Sequence, residues 1–516
     1  MVLPPKPLHP EGEETLPPKN PLHEAVQVET YAGILQVEWD PGATVTPMGQ
    51  LPFFIQFLKL GGRFEPWVRD CPLHYHSNNA PKKVDVLGSL FLSILSGHRR
   101  YAHITSLMSD RVNSKLLGMS KVVSNDSARR ALMKMEEAAG IEWLQKHLHY
   151  CYEPLLKTHW ILDADVTVKP LYGQQEGAKV GYNPQKHGRP SHTYHTYMMA
   201  NLRIVLDVEV QAGDQSHSNH SLPGLVALLN RLPIDGKPEF VRGDIGWGTD
   251  NVMKEMEEID QRYLFKLKRS NNVKKLIYRH HCLGEWSYIN KEWEAKEDVL
   301  QLQGWEKERR VVVIRRRLSS DHIISIECEK EGQQQLAFID GPEDIRTYEY
   351  SVLVTDLEDD LVTLFYHYRD RADCENNFDE MKNQWGWGGY TTKNIKSCQF
   401  MARMIALIYN WWNLFVRLAI PEKHHEAITS RPLLLSSIGR LTEHGRQKKM
   451  VITSTHGDIE KLKGAYRRLI HFFNELKSTA QQLTSTECWN LILAKAMEKF
   501  RAGMGTKNQI EQPLPS

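Results

Sequence analysis

A β-strand with two carboxylates in its middle is the strongest constraint on how this chain can fold. The stretch HWILDADVTVKPLYG alternates, with Leu162, Ala164, Val166 and Val168 facing one way. Ile161, Asp163, Asp165 and Thr167 face the other. A carboxylate inside an apolar strand is costly to bury unless it is paired or bound to a cation. The sheet that holds this strand must therefore offer a basic partner or a metal, or else let the head of Asp165 reach its edge.

The neighbouring stretches suit a mixed sheet. TYHTYMMA and RIVLDVEVQ read as strands joined by a tight turn at Asn201. Then come the helix SNHSLPGLVALLNRL, the short buried strand EFVRGDIGWG, the helix TDNVMKEMEEI and the strand RYLFKLK. Strands in this succession with helices predict an α/β core with helices on its faces. EFVRGDIGWG ends in a glycine-flanked acid, Asp244, which read alone is a turn or cap residue.

Five further regions follow from composition and periodicity. Residues 1–27 are proline-rich and charged and read as a disordered arm. Residues 28–155 are expected to be mainly helical, ahead of a core beginning at 156–268. VDVLGSLFLSILSGHRRYAHITSLMSD puts Leu87, Leu90, Phe91 and Ile94 on one face. VVSNDSARRALMKMEEAAGIEWLQKHL follows, with Ser124 or Asn125 as N-cap. A helix presenting Arg129 and Arg130 early suits DNA contact, although most such faces are merely solvated. Residues 269–355, with Trp286, Trp293, Trp305, the charged strand ERRVVVIRRRLSS and QQQLAFID, read as an all-β insertion. After the strand EYSVLVTDL, residues 356–395 end the core with a helix. Residues 396–516 read as a C-terminal helical region, led by the apolar CQFMARMIALIYNWWNLFVRLAI.

Bulk properties narrow the partners. At 516 residues the chain has room for two to four domains. Lys and Arg number 65 against 63 Asp and Glu, so any nucleic-acid surface must be local. The seven scattered cysteines form no CxxC pair, which favours a reducing compartment. No apolar leader and no long uncharged apolar run is visible, so a cytoplasmic location and no membrane partner are expected. CPLHYH (Cys71, His74, His76) and KHLHYC (His147, His149, Cys151) hold zinc-ligand types without a standard spacing.

The second constraint is a polar stripe in YHYRDRADCENNFDEMKNQWGWGGY, residues 366–390. At about 100° per residue, Arg371, Glu375 and Lys382 fall within a sector of roughly 60° beside Tyr368. A core-facing stripe would be apolar. Read alone, Arg371 and Glu375 make an i,i+4 ion pair of about 0.2–0.5 kcal/mol on an exposed face. Asp379 projects near the same face.

Tyr368, Arg371, Glu375 and Lys382 match Y-(2)-R-(3)-E-(6)-K, the YREK signature of the insertion-sequence-four superfamily of DDE transposases. The flanks LDADVTV, YGQQEGAKVGYNPQKHGRPSH, VRGDIGW and SCQFMARMIALIYNWWNLFVR also resemble that group, over roughly residues 85–420. The resemblance implies a ribonuclease H-like core whose DDE triad is Asp165, Asp244 and Glu375, with a β insertion before the glutamate. The family's first acid is usually followed by a small hydroxyl residue. Here Val166 precedes Thr167, so Asp163, on the same strand face, stays an alternative. Asp356 and Asp373 match no motif acid.

The family's chemistry is implied with its residues. The triad would hold Mg²⁺ or Mn²⁺, two ions, which need oxygen ligands at such a convergence. Tyr368, Arg371 and Lys382 would hold phosphates at the element's terminal inverted repeats. Water would cut the terminus, and the 3′-OH would attack target DNA, with a homodimer expected in the DNA complex. Trp286, Trp293 or Trp305 could stack on an extruded base, or simply pack. The rivals are a nuclease of the same fold that never joins strands, and a retired transposase acting as a DNA-binding regulator.

Overall fold

The computed structural model describes residues 25–507 except 41, 76, 78, 184, 185, 216–219, 319–344, 346, 454–456 and 480–482. The chain opens with β1 (Val26–Thr30) and β2 (Gly33–Val37), a hairpin of its own, and β3 (Val45–Thr46). The central sheet begins with β4 (Leu162–Pro170), β5 (Lys179–Val180), β6 (Pro190–Met199) and β7 (Ile204–Ala212). It continues with β8 (Val241–Gly243), β9 (Tyr263–Lys266), β10 (Ser287–Tyr288), β11 (Trp293–Leu300), β12 (Arg309–Arg317) and β13 (Tyr348–Thr355). The last pair, β14 (Gly439–His444) and β15 (Gln447–Ile452), forms a three-stranded sheet with β3.

The spatial order in the ten-stranded sheet is β10-β11-β12-β13-β9-β8-β4-β6, with β5 and β7 both against β6. β4, β8 and β9 run parallel, and the flanking pairs are antiparallel. Parallel neighbours need crossovers, and the helices Leu222–Arg231 and Asp250–Glu258 lie in these connections. β6 turns into β7 through Ala200–Leu202, which holds the expected turn at Asn201, and a left-handed Arg203.

One face of the sheet carries the large core, and the other a smaller core of Phe240, Leu264, Val312, Leu353, Leu364 and Phe365 with their neighbours. The helix Ile395–Ala419 is buried almost all round. It is not apolar enough to cross a membrane, and among the described residues no helix is. Its polar residues instead finish the sheet. Asn410 bonds both the N–H (2.9 Å) and C=O (2.8 Å) of Val205, and Gln399 accepts from Val210 N (3.0 Å). At Val205 and Val210 the outer backbone of β7, an edge strand, thereby finds partners. This helix packs on the N-terminal helices Leu51–Leu60, Lys83–Leu95 and Glu137–Tyr152, so both helical regions share one core.

Four expectations need correction. The 269–355 segment is not all β, because Ser270 caps a helix, Asn271–Leu283, that buries Val273, Leu276 and Ile277. Its strands also do not stand apart, since β13 pairs with β9 and carries β10 to β12 onto the central sheet. QQQLAFID lies outside the described residues. The 396–516 region holds the β14–β15 hairpin, where Gly445 takes the left-handed turn and period-2 alternation replaces helical spacing. The N-terminal region carries three strands before its helices, β1 starting at Val26 within the expected arm, while residues 1–24 lie outside the described set. In the N-terminal helices Ser124 is the cap, accepting from Ser127 N at 3.2 Å.

Candidate functional site

The site starts from strand register. β4 pairs with β8 through Ala164 and Gly243, so Asp165 and Asp244 follow one position further, where this parallel pairing stops and β8 ends. β8 pairs with β9 through Gly243 and Phe265, which puts Lys266 next in the same row. Asp244 is fixed by its own turn, its Oδ1 accepting from Gly246 N at 3.0 Å. A Cβ on Gly243 would come within 2.5 Å of the Trp247 ring, so only glycine lets this turn close.

The fourth wall comes from the polar stripe, in a form the periodicity did not predict. Two helices replace the single expected one, Leu361–Arg369 and Ala372–Asn383. At the joint the N–H of Arg371 bonds Tyr368 O at 3.1 Å, an i→i−3 step that tightens the turn. Asp360 caps the first helix, accepting from Val362 N and Thr363 N. The bend leaves Tyr368, Arg371 and Glu375 on one cavity of about 350 Å³, lined also by Asp244, Lys266 and Trp293. Lys382, in the last turn of the second helix, is not among its lining residues.

Arg371 is the hub. Its Nη2 lies 3.1 Å from Asp165 Oδ2 and its Nη1 3.3 Å from Glu375 Oε1. Arg371 is buried, Asp165 nearly so, and Glu375 reaches outward with 68% of its side chain exposed. Burial pushes the Asp165 carboxyl up to about 7, opposed by Arg371 and reinforced by Asp244. Burial likewise raises the Tyr368 phenol to about 12, against the pull of Arg371 and with the help of Asp244.

Asp163 sits in a different setting. It takes a bidentate pair from Arg242, Nε–Oδ1 at 2.5 Å and Nη2–Oδ2 at 2.8 Å, with both side chains buried. The same guanidinium donates to His367 O, one residue before Tyr368. Asp163 is therefore consumed in fastening the helix to the sheet.

Three carboxylates give hard oxygen donors that fit a hard divalent cation. Arg371 supplies the countercharge at present, and among the described residues no three His, Cys, Asp or Glu side chains form a ready-made cage. The zinc pairings find no support. Cys71 lies against the Met135 sulfur at 3.7 Å, its thiol raised to about 11 by burial, and His76 is outside the described residues. His147 lies beside Asp70 at 3.3 Å, and burial raises Cys151 to about 12.

Arg129 and Arg130 stand exposed on the helix Asn125–Lys134, Arg129 paired with Asp126 at 2.9 Å, and neither lines the acid cavity. Of the three tryptophans, Trp293 lines it, with Arg316 at 5.1 Å and Arg369 at 4.9 Å from its ring. Trp286 and Trp305 carry Arg315 and Arg309 at 4.0 Å and 5.3 Å. Sequence reading missed Lys266 and Arg242. RYLFKLK contains the lysine, but its value depends on which strand lies beside β9, and no local pattern states that.

Residues 75–472 match a family described as transposase DDE domain group 1. No curated protein matches the chain. A solved structure of piggyBac transposase in a synaptic complex with hairpin DNA aligns at 8% identity and a TM-score of 0.36. The alignment covers 91% of this chain and 87% of that one.

Proposed function

The chain belongs to the DDE transposase family, and from that membership we propose that it cuts and joins DNA at the ends of a mobile element. Within the family we assign it to the insertion-sequence-four superfamily, by the YREK spacing of Tyr368, Arg371, Glu375 and Lys382. We read β4 to β9 and the two stripe helices as its ribonuclease H-like core. The observation that carries this reading is the grouping of Asp165, Asp244 and Glu375 around one buried arginine, where the parallel pairing of β4 with β8 stops. Ligand sites in open α/β sheets gather at the carboxyl ends of parallel strands, where Asp244 and Lys266 stand.

Asp165, Asp244 and Glu375 would hold the Mg²⁺ or Mn²⁺ ions. When bound, divalent cations activate water and stabilise a leaving 3′ oxygen. The protein's own part is alignment. Arg371 is pre-oriented by Asp165, so its planar fork can turn from carboxylate to scissile phosphate as DNA enters. Tyr368 can donate its phenol proton to a phosphate oxygen, since a phenol holds its proton at neutral pH and burial raises this one further. Lys266 adds a cation from the third strand. The same cavity would admit the terminal 3′-OH and target DNA in turn, on a homodimer bound to double-stranded ends in the cytoplasm.

A retired, DNA-binding role leaves Asp165 unexplained, because a carboxyl raised by burial and a second acid costs stability without serving binding. The test is a strand-joining assay with Mg²⁺ and duplexes carrying the terminal repeats. Joined product is expected. Cleaved but unjoined ends would leave only a nuclease, and binding without cleavage would leave a regulator.

A further inference from the structure

Beyond the acid cavity, the loop that follows β4 forms a second surface. Between residues 171 and 189 it carries Lys179, Lys186 and Arg189 against one acid, Glu176. That acid is engaged, its Oε2 accepting from Ile395 N at 3.0 Å at the start of the long helix. Tyr172 is 67% exposed and Tyr182 77% exposed, so neither ring serves the core. Lys186 and Arg189 lie 5.0 Å and 4.8 Å from the Tyr172 ring centroid, and Lys186 Nζ donates to its hydroxyl.

The segment is built onto the sheet. Leu171 N bonds Pro190 O at 2.8 Å, Asn183 Oδ1 accepts from Lys186 N at 3.0 Å, and β5 pairs with β6. A Cβ on Gly181 would stand 1.8 Å from Gly213 O, so the two backbones touch. Two long cations held on an exposed aromatic ring, on a pinned loop, present a ready donor set for phosphates.

We propose that Tyr172, Lys186 and Arg189 form a DNA backbone clamp separate from the cleavage site, gripping the duplex that leaves it. This rests on the reading that the acid cavity is where DNA is cut. β4 sets the distance. Asp165 and Pro170 are five residues apart, about 17 Å of extended strand, or about five base pairs of duplex. The clamp therefore meets phosphates about five base pairs from the scissile bond, either on the element side or on the flanking side.

The test uses the full chain without divalent cation, titrated onto three labelled duplexes across a salt series. One is cut back to about three base pairs on either side of the scissile position, one is extended ten base pairs on the element side, and one is extended likewise on the flanking side. With Lys186→Ala/Arg189→Ala, affinity for one extended duplex should fall about tenfold and its salt slope by about two. The other two duplexes should bind as with wild type, and the melting temperature should not move, because both side chains are exposed. Lys186→Arg/Arg189→Lys should restore the slope. The arm that responds says which DNA is held. Wild-type affinity and slope on every duplex, or an equal loss on the cut-back one, would overturn the clamp. Wild-type protein that binds in this pattern but never cleaves with Mg²⁺ would instead overturn the proposed function and leave the clamp standing.

Discussion

Two carboxylates on one strand, two residues apart and on one face, live in opposite surroundings. Asp163 is locked against Arg242 with every oxygen matched and no route to solvent. Asp165 shares Arg371 with Glu375 and keeps 16% of its side chain exposed, and that arginine and glutamate line a cavity with Asp244. The first arrangement is complete as it stands, and the second becomes complete only when a ligand brings more charge. A closed pair is a fastening, whereas an open one is a site. The contrast predicts that damage to the two aspartates separates into loss of stability and loss of chemistry.

The largest effect belongs to the open group. Asp165→Ala, Asp244→Ala and Glu375→Ala should each lower cleavage by at least about 10³-fold with DNA binding kept, and the triple variant should be little worse than any single one. Additive losses in gel-based cleavage rates would mean that the three do not act as one unit. Next comes the closed pair. Arg242→Ala strands a buried Asp163 and should cost about 3–5 kcal/mol in denaturant melts. A melt close to wild type would show that the pair fastens nothing.

Arg371→Ala should slow cleavage about 10²-fold, more than it weakens binding, because a misplaced phosphate loses alignment. It should also flatten the salt slope of end binding by about one. Glu375→Gln should leave binding without metal unchanged or slightly tighter while chemistry fails. Equal stability losses from both, with normal slopes and cleavage, would reduce the stripe to an intrahelical ion pair.

A smaller effect concerns pH. Asp165 keeps its proton in the fold up to about 7 against an ordinary 3.8, so stability present in acid is lost as pH rises through that window. Without divalent cation, Asp165→Asn should therefore gain on wild type between pH 5 and pH 8, reaching about 2 kcal/mol. A gap that narrows toward alkaline pH would contradict the raised carboxyl.

Much of this was legible in local pattern. Alternation located β4 and β7, and capping residues located the helix at Ser124. The signature spacing picked out Tyr368, Arg371 and Glu375, which do share a cavity. Period-2 alternation says which way a residue points but not what it meets, so Asp163 and Asp165 looked alike until Arg242 and Arg371 were in view. The neighbour of β9 is equally nonlocal, which hid Lys266 and the joining of β10 to β13 onto the sheet. The tightened turn at Arg371 escaped because uniform helical projection assumes no i→i−3 step. Likewise, 28–155 looked separable by its helices, yet it shares its core with Ile395–Ala419. Tests of Arg129 and Arg130 in end binding therefore belong in the full chain.

The contrast between the two aspartates meets its most direct test in the Mg²⁺-dependent cleavage rate of Asp163→Asn beside that of Asp165→Asn, on duplexes carrying the element's ends, scaled to folded protein by melting. Asp165→Asn should be folded and inactive, and Asp163→Asn less stable but able to cut. A folded, inactive Asp163→Asn next to an Asp165→Asn that cuts at the wild-type rate would contradict the assignment.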